Sequence, residues 1–383
     1  MTWNEAQRIG RMLCVSLSGT ELTHSERQMF ARAQPGGIIL FARNCQSPPQ
    51  VRALTDEIRL VLGAGTLIGI DQEGGRVDRL RSLLTAMPAA EEVATRGGAK
   101  AAARLGKLTA HALRLLGFNF NFAPVLDVVT PARRGRQNGL DSRTFGETPQ
   151  SVTACASDYL NALQDGGMSG CVKHFPGLGG AAVDPHDELP VVAASREEIE
   201  AIDLMPFRAV LTTGAARAVM VSHAVYPNLK SHTDEQQTMP ASLSPTIVTK
   251  LLRGEIGFDG VVMTDDLTMG AAIKAAGDLR GAACAAVAAG HDLLLVCATS
   301  EEVEEVHAAL VAQLDQGAMS EARVEQSLAR LNRLSLSAGE RVRFDEPSWQ
   351  SISAQIADLH ATLSLTELNA PIKVPTKSST HIQ

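Results

Sequence analysis

Eight short, β-rich apolar runs that alternate with helical patterns are the feature that most constrains the fold of this 383-residue chain. The runs cover residues 12–17, 36–41, 67–70, 118–128, 170–175, 218–223, 260–265 and 292–297. Strands that alternate with helices predict a parallel sheet whose strands are joined by helical crossovers.

Polar residues follow the apolar part of at least five of these strands, always at the carboxyl end. They are Asp71, Asp127, Lys173 with His174, His223, and Asp265 with Asp266. A (β/α)8 barrel builds its site from the carboxyl ends of many strands, whereas a doubly wound sheet gathers its site at one switch point. We therefore predict an α/β fold, with a single-domain (β/α)8 TIM barrel over residues 1–342 and a partly flexible C-terminal extension over residues 343–383.

The helical segments carry their own signals. The clearest helical patterns cover residues 50–63, 99–117 and 195–214. Ser195 is followed three residues later by Glu198, which predicts a capping box at the start of the third of these helices. A further helix is expected at residues 320–342, outside the barrel. The Pro/Ser/Thr-rich end, residues 368–383, is expected to be loosely ordered.

Composition excludes several kinds of partner. The formal charge is −7 with both signs interspersed, and aromatic residues make up only 4% of the chain. Neither value favours a nucleic-acid or anionic membrane surface as partner. No secretory leader or membrane-spanning run is recognisable at the start or elsewhere. Six scattered cysteines without a CxxC pair predict free thiols in a reducing cytoplasm.

Two strand ends offer carboxylates for binding or catalysis. Asp71 can hold sugar hydroxyls through charge-assisted hydrogen bonds, or it can pair with a nearby arginine and tie down the loop. Asp265 and Asp266 leave one strand together, so only one of them can point into the barrel mouth. That carboxylate can attack an anomeric carbon or bind a metal, and its neighbour is expected to cap the next helix.

Arg143 lies in a polar loop, and by itself it favours the interpretation of a surface arginine.

The stretch KHFPGLGGAAVDPHDELP, residues 173–190, allows three interpretations. Gly177, Gly179 and Ala182 match a dinucleotide fingerprint, but that motif must open a helix, and a following Asp-Pro favours extended or turn backbone. A metal site would use the ligands His174, Asp184, His186 and Asp265. This site is disfavoured because no HxH pair ends the first strand, and several ligands would lie on a glycine-rich loop.

The remaining interpretation is a mobile loop that carries a catalytic acid. Its small residues supply hinges, and Asp184 and His186 form a carboxylate–imidazole pair. The carboxylate favours the protonated imidazole and fixes its orientation. Such a histidine can give a proton to a leaving group and later take one from water.

Six motifs, in this order along the chain, resemble glycoside hydrolase family 3. They are GGIILFARN (36–44), IDQEGGRVDRL (70–80), SRTFGETP (142–149), KHFPGLG with VDPH (173–186), MPASLS (239–244) and GFDGVVMTDDLTM (257–269). The resemblance covers about residues 8 to 340. Within that family, the motifs resemble in particular the single-domain β-N-acetylglucosaminidases of bacterial peptidoglycan recycling.

The resemblance implies a retaining double displacement without cofactor or metal. Asp265 would be the nucleophile, and His186, oriented by Asp184, would be the general acid and base. Five further positions match family residues that bind N-acetylglucosamine: Asp71, Arg79, Arg143, Lys173 and His174. The implied substrate is a small sugar or muropeptide, and a monomeric cytoplasmic enzyme is expected.

Three positions depart from the family pattern. Leu178 stands where the family usually has His, Pro185 where it has Ser, and Val129 where it commonly has Asn. None of these changes removes a chemical group from the implied mechanism. We expect Leu178 to affect loop closure or sugar selectivity, and Pro185 to stiffen the Asp184–His186 geometry because it fixes one φ angle.

Three alternatives to hydrolysis by this mechanism stay open at the level of sequence. A phosphorylase would use the same site. A histidine as acid and base repels incoming phosphate less than a carboxylate would, which keeps this alternative open. A metal-dependent barrel hydrolase would use the ligands named above. A catalytically weakened sugar-binding protein is suggested by Leu178.

Overall fold

Eight parallel strands form the centre of the part of the chain described by the computed structural model, residues 3–183, 189–229 and 238–368. They are β1 (Leu13–Ser16), β2 (Gly37–Leu40), β3 (Leu67–Ile70), β4 (Phe120–Asn121), β5 (Ser169–Phe175), β6 (Ala218–Val221), β7 (Val261–Thr264) and β8 (Leu294–Val296). Their spatial order is β8-β1-β2-β3-β4-β5-β6-β7. A parallel bridge from Met263 to Leu293 joins β7 to β8 and closes the barrel, which confirms the predicted fold.

Helices surround the barrel and connect successive strands. The α-helices of eight or more residues are His24–Ala33, Pro48–Leu62, Ala90–Leu115, Pro149–Asp165, Leu204–Thr212, Leu279–Ala289, Ser300–Asp315, Glu321–Leu336 and Glu346–Leu368. Shorter α-helices are Glu5–Gly10, Arg196–Glu198 and Gly270–Ala276, and Ile199–Asp203 and Thr246–Glu255 are π-helical. Over the described ranges, no helix has the length and apolar character needed to cross a membrane.

Polar N-caps explain where many of these helices begin. Seven cap side chains accept a hydrogen bond from the backbone N–H three residues later: Asn4, Thr23, Ser47, Thr148, Asp278, Thr299 and Ser320. Pro48 and Pro149 follow two of these caps, and proline at the first helical position costs nothing because that N–H has no helical partner. Ser195 also caps its helix, but the Glu198 carboxylate binds Arg133 instead of completing the capping box.

Two apolar cores lie on the two sides of the barrel wall. Alternate strand residues such as Ile38 and Leu40 pack outward against the helices, whereas Ile39 belongs to the core inside the barrel. Phe120 and Phe122 fill the interior with an edge-to-face contact of 5.0 Å between ring centroids. This period-two alternation is what a strand with two buried faces requires.

The fourth strand is shorter than its apolar run predicts. Residues 118–128 include only two strand residues, Phe120 and Asn121, and the Ala123–Pro124 peptide bond that follows is cis. Further along the chain, Val125 bridges to Lys173, and Asp127 lies at the mouth of the barrel beside His174.

The helix Glu346–Leu368 lies outside the barrel and was not predicted. Its buried stripe is Trp349, Ile352, Ile356, Leu359 and Leu363. Trp349 Nε1 donates to Leu83 O at 3.1 Å, and Arg104 on Ala90–Leu115 pairs with Asp358 at 2.6 Å. The helix expected at 320–342 is found at Glu321–Leu336. Residues 369–383 lie outside the described part, and the domain boundary at 342 stays a prediction.

A charged cluster that we call the floor cluster lies at the amino end of the barrel. Its centre is Asp292, which precedes β8 and is fully buried. The groups that contact its carboxylate are Arg253, Arg323, Arg330, the Ser327 hydroxyl and the Val262 N–H. Each oxygen of Asp292 therefore has protein partners, and the cluster ties the helix Glu321–Leu336 to the barrel floor.

Candidate active site

A cavity of about 240 Å³, which we call the mouth cavity, opens at the carboxyl ends of the strands. The predicted site residues in its wall are Asp71, Arg79, Arg143, Lys173, His174 and Asp265. They come from β3, β5, β7 and the loops beyond the strand ends, so the fold brings together residues that are far apart in sequence. This is the end of a barrel at which catalytic groups are found.

Four charged side chains, Asp71, Glu73, Arg143 and Lys173, form what we call the charged wall of the cavity. Lys173 Nζ donates to Asp71 Oδ1 at 2.6 Å and lies 2.7 Å from Glu73 Oε1. Arg143 donates from Nε and Nη2 to the two oxygens of Glu73, at 2.8 and 2.9 Å. Arg143 therefore lies in the cavity wall, and the interpretation as a surface arginine is wrong.

The contacts within the charged wall hold Glu73, Arg143 and Lys173 ionised. Burial raises the pKa of the Glu73 carboxyl, but Arg143 and Lys173 outweigh burial and hold that pKa well below its usual range. Burial lowers the pKa of Lys173, and the neighbouring carboxylates of Asp71 and Glu73 more than reverse this effect. Arg143 likewise has a raised pKa, because Glu73 outweighs the cost of burial. These three groups are therefore fixed charges at neutral pH.

Asp71 lies near an arginine and also lines the cavity, and its binding of sugar hydroxyls stays a prediction. Arg79 Nη2 lies 3.7 Å from Asp71 Oδ2, which is longer than a hydrogen bond. That oxygen can accept a hydroxyl from a ligand. The Arg79 guanidinium also lies over the Phe41 ring, with Cζ 5.7 Å from the ring centroid, within the range of a cation–π contact. Its Nε is buried without a hydrogen-bond partner among the described residues.

His174 is oriented by Asp127. Its Nδ1 lies 2.7 Å from Asp127 Oδ2, and the other oxygen of Asp127 accepts from the Leu178 N–H at 2.6 Å. Pairing between β5 and β6 shifts register between Val172 and Phe175, and such a bulge re-aims side chains. Lys173 and His174 thus both line the cavity although they are adjacent in sequence. His174 Nε2 has no partner among the described residues and can meet a ligand.

Asp265 follows β7 and is partly exposed to the mouth cavity. Burial raises the pKa of its carboxyl, but His174, His223, the Asp266 N–H and Lys173 together lower that pKa below the ordinary value. The Asp266 N–H donates to Asp265 Oδ1 at 2.8 Å. Asp265 is therefore an ionised, oriented carboxylate at neutral pH, as a nucleophile requires.

His223 is a buried support beneath this carboxylate. Burial lowers the pKa of its imidazole. Its Nε2 lies 2.9 Å from Asp266 O, which can only accept, so Nε2 carries the proton. Nδ1 then accepts from the Ser242 hydroxyl at 2.6 Å. His223 thus fixes the backbone that presents the two aspartates.

Asp266 has the supporting role expected of the second aspartate, but it does not cap a helix. The N-cap of Gly270–Ala276 is Met269. Asp266 instead accepts from the backbone N–H and hydroxyl of Thr268, at 3.0 and 2.7 Å, and from the Cys297 N–H at 3.1 Å. It therefore joins the loops after β7 and β8.

The glycines after β5 are close-packing positions, and the hinge role predicted for the small residues of this loop stays a prediction. A Cβ at Gly179 would lie 2.0 Å from Val128 O, and one at Gly177 would lie 2.6 Å from Asp203 Cβ. Gly177 also has φ +127°, which side chains rarely adopt. The described residues of this segment, through Val183, form no helix, in agreement with the rejection of a dinucleotide fingerprint.

The predicted acid/base pair lies outside the described residues. Asp184, Pro185 and His186 fall in the gap between residues 183 and 189. The roles of Asp184 and His186, and the effect of Pro185, stay predictions. Leu178 is described: its side chain is buried and contributes to the cavity wall, where the family pattern has a histidine.

In the described part of the chain, no group of three or more His, Cys, Asp or Glu side chains is arranged to hold a metal ion. His174, one of the proposed ligands, is already bound to Asp127. The metal-site interpretation also named Asp184 and His186, which lie outside this part.

Sequence reasoning missed Glu73 as a site residue and did not pair Asp127 with His174. Glu73 lies two residues beyond Asp71, in a hairpin of Gln72–Gly74 and Val77–Asp78, and binds both Arg143 and Lys173. No strand-end rule marks such a residue. The position of Asp127 at a strand end was a usable signal, because the carboxyl ends of neighbouring barrel strands meet at the mouth.

Comparison with known sequences gives a consistent result. The profile described as "Glycosyl hydrolase family 3 N terminal domain" matches residues 6–334. A protein named beta-hexosaminidase from Alkalilimnicola ehrlichii is 39% identical over 300 residues, which cover 77% of this chain and 82% of the relative. One of the same name from Methylococcus capsulatus is 40% identical over 298 residues, covering 77% and 85%.

Comparison with solved structures agrees. A glycoside hydrolase family 3 beta-N-acetylglucosaminidase from Paenibacillus sp. superposes with a TM-score of 0.83 at 33% identity, covering 94% of this chain and 69% of that one. Native NagZ from Neisseria gonorrhoeae superposes with a TM-score of 0.74 at 30% identity, covering 94% and 98%.

Proposed function

The chain belongs to glycosyl hydrolase family 3 and is a β-N-acetylhexosaminidase, and from this premise we propose that it removes terminal N-acetylglucosamine from peptidoglycan-derived muropeptides with retention of configuration. The observation that carries the proposed mechanism is the state of Asp265. This carboxylate faces the mouth cavity, is held by the Asp266 N–H, and has a pKa below its ordinary value.

In the first step, Asp265 attacks the anomeric carbon and the bond to the aglycone oxygen breaks. An ionised carboxylate is needed for this attack because the transition state is oxocarbenium-like. The proposed acid, His186, gives its proton to the departing oxygen. The product of this step is a covalent glycosyl-enzyme on Asp265 and a free aglycone.

In the second step, water attacks the same carbon from the face that the aglycone left. His186 takes a proton from that water, and the bond to Asp265 breaks. Two inversions at the carbon give net retention, so the released sugar is the β-anomer.

The charged wall is proposed to hold the sugar ring during both steps. Asp71 can accept from sugar hydroxyls, and Arg143, Lys173 and His174 can donate to hydroxyl or amide oxygens. Because Glu73 fixes Arg143 and Lys173 before substrate arrives, little side-chain ordering is needed on binding. Side chains that are already ordered before the substrate binds favour a precise position of the anomeric carbon over Asp265.

The setting is also part of the proposal. We propose that the enzyme acts on muropeptides in the cytoplasm. We also propose that it is a monomer and needs no cofactor. The sequence relatives reported above are named hexosaminidases, which gives no support to the phosphorylase alternative.

The test uses 4-nitrophenyl β-N-acetylglucosaminide and an N-acetylglucosaminyl-anhydromuropeptide, each in a phosphate buffer and in a phosphate-free buffer. We expect release of β-N-acetylglucosamine from both substrates, followed directly by NMR before mutarotation. A sugar 1-phosphate in the phosphate buffer would contradict hydrolysis, and a released α-anomer would contradict retention. Cleavage of the aryl glycoside without cleavage of the muropeptide would contradict the proposed substrate.

A further inference from the structure

A second cavity, which we call the side cavity, lies beside the mouth cavity. It has a volume of about 450 Å³ and lies between the residues that follow β1 and those that follow β8. The hydroxyl-bearing residues Ser18, Thr23 and Thr299 belong to its lining. Cys297 lines both cavities, so the two cavities are neighbours that share one wall residue.

Arg43 is the cation of the side cavity, and its guanidinium is held in place on two sides. Its Nε donates to Leu17 O at 3.1 Å, and its Cζ lies 4.6 Å from the centroid of the Phe41 ring. Phe41 lines the mouth cavity, and Arg79 contacts the same ring. One aromatic ring thus connects the arginine of the side cavity to an arginine of the mouth cavity.

The two terminal nitrogens of Arg43 are available for a ligand. The side chain is exposed, and neither Nη1 nor Nη2 makes a hydrogen bond or ion pair with any residue of the described ranges. A guanidinium whose stem is already positioned loses little freedom when it binds an anion, and its planar fork matches a carboxylate.

The carboxylates in the side cavity do not neutralise Arg43. Glu26 is buried and accepts from the backbone and hydroxyl groups of Ser18 and Thr23. Glu302 accepts from the backbone and hydroxyl of Thr299 as part of a capping box. Glu301 is exposed beside it, at the start of the helix Ser300–Asp315. An anionic group is thus favoured at the Arg43 side and disfavoured at the helix side.

We propose that the side cavity is the aglycone subsite and that Arg43 binds a carboxylate carried by the aglycone. The inference rests on the proposed function, since an aglycone exists only if the mouth cavity holds a glycoside. Hydroxyl groups of the cavity would bind the polar remainder of the aglycone. Arg43 is then a specificity-determining residue that raises kcat/KM for acidic aglycones.

The experiment compares two umbelliferyl β-N-acetylglucosaminides that differ in one group, a 3-carboxylate in the first and the 3-carboxamide in the second. The readout is the ratio of kcat/KM for the carboxylate to kcat/KM for the carboxamide, in the wild type and in each variant. Comparing this ratio between proteins cancels the difference in leaving-group reactivity. We expect Arg43→Ala to lower the ratio about 5- to 30-fold, and Arg43→Lys to lower it less.

Arg32→Ala is the matched control. Arg32 lies on His24–Ala33 and pairs with Glu304 on Ser300–Asp315, at 2.8 Å, so it joins two helices next to the side cavity without lining it. We expect Arg32→Ala to keep the wild-type ratio. Raising the salt concentration should lower the wild-type ratio and leave that of Arg43→Ala unchanged.

The possible failures are separable. A ratio that Arg43→Ala leaves at the wild-type value, in a protein with wild-type Tm, would overturn the aglycone subsite while the hydrolase function stands. An equal fall in the ratio with Arg32→Ala would also overturn it. If the wild type hydrolyses neither substrate, the proposed function itself fails, and the inference fails with it.

Discussion

The two ends of the barrel each contain a buried carboxylate bound by several cations, but the two clusters differ in what completes them. In the floor cluster, Asp292 is fully buried, and arginines, a hydroxyl and a backbone N–H satisfy both of its oxygens. In the charged wall, Asp71 keeps an oxygen that faces the mouth cavity, and Arg79 is too far for a hydrogen bond. A closed cluster can only hold the fold together, whereas an open one can also hold a ligand.

The difference matters because both clusters have the same composition of aspartate or glutamate with arginine or lysine. Perturbed pKa values alone do not separate them, since structural ion pairs also shift pKa. What separates them is whether the remaining hydrogen-bonding capacity points into a cavity. Substitutions at the mouth of the barrel should therefore lower activity, whereas substitutions in the floor cluster should mainly lower stability.

The largest expected effect is on catalysis at the open end. Asp265→Asn keeps the volume of the side chain but removes the nucleophile, so we expect kcat for the nitrophenyl substrate to fall about 1,000-fold or more. Its Tm should change much less than that of a floor-cluster variant. The kcat of Asp265→Asn is compared with that of Asp266→Asn, which changes the neighbouring supporting aspartate. A kcat for Asp265→Asn within tenfold of wild type would contradict the proposed nucleophile.

The next effect is on stability at the closed end. Asp292→Asn removes a fully buried carboxylate and leaves three partly buried arginines without this counter-ion, and breaking a buried pair in this way costs about 3–5 kcal/mol in free energy of unfolding. Denaturant unfolding measures this cost, and kcat of the folded protein should stay near the wild-type value. Asp259→Asn is the control, because Asp259 pairs with Arg330 and Arg333 but is largely exposed, and we expect a loss below about 1 kcal/mol.

A substitution in the charged wall should affect both quantities. Glu73→Gln frees Arg143 and Lys173 beside water, so we expect a loss of about 1–3 kcal/mol, smaller than at Asp292. Because both cations lose their fixed position, kcat/KM should fall about 10- to 100-fold. Glu147→Gln, which disturbs only an exposed pair with Arg134, should change neither value. If Glu73→Gln lowered the free energy of unfolding but left kcat/KM unchanged, the proposed difference between the two ends of the barrel would be contradicted.

The smallest effect concerns pH and again belongs to the floor. Burial lowers the pKa of His291 to about 3 from the ordinary value of 6.5. Between these values the unfolded chain binds a proton that the folded protein does not, so stability falls as pH drops below 6.5. The contribution is at most about 1.4 kcal/mol per pH unit.

His291→Gln should therefore reduce the loss of unfolding free energy between pH 7 and pH 5. His24→Gln, at an exposed helix position, is the control and should keep the wild-type slope. Chemical denaturation at several pH values measures both. An unchanged slope in His291→Gln would show that this imidazole is not kept neutral by the fold.

Sequence periodicity was sufficient for the eight strands and their carboxyl-end residues, because alternation and strand-end polarity are local patterns. The same approach missed the helix Glu346–Leu368, although Trp349, Ile352, Ile356, Leu359 and Leu363 already show the helical spacing. It missed Glu73 because the role of this residue depends on Arg143, which is far away in sequence. The close packing of Gly177 against Asp203 and of Gly179 against Val128 could not be predicted, because these contacts exist only in the folded chain.

The most direct test of the central claim is covalent trapping with a 5-fluoro N-acetylglucosaminyl fluoride, followed by mass spectrometry of the digested protein. The open end of the barrel should yield a stoichiometric adduct on the peptide that contains Asp265, with the label located on that carboxylate. Time-dependent inactivation should accompany it. A label on Asp71, Glu73 or any other residue, or turnover without a covalent species, would contradict the account.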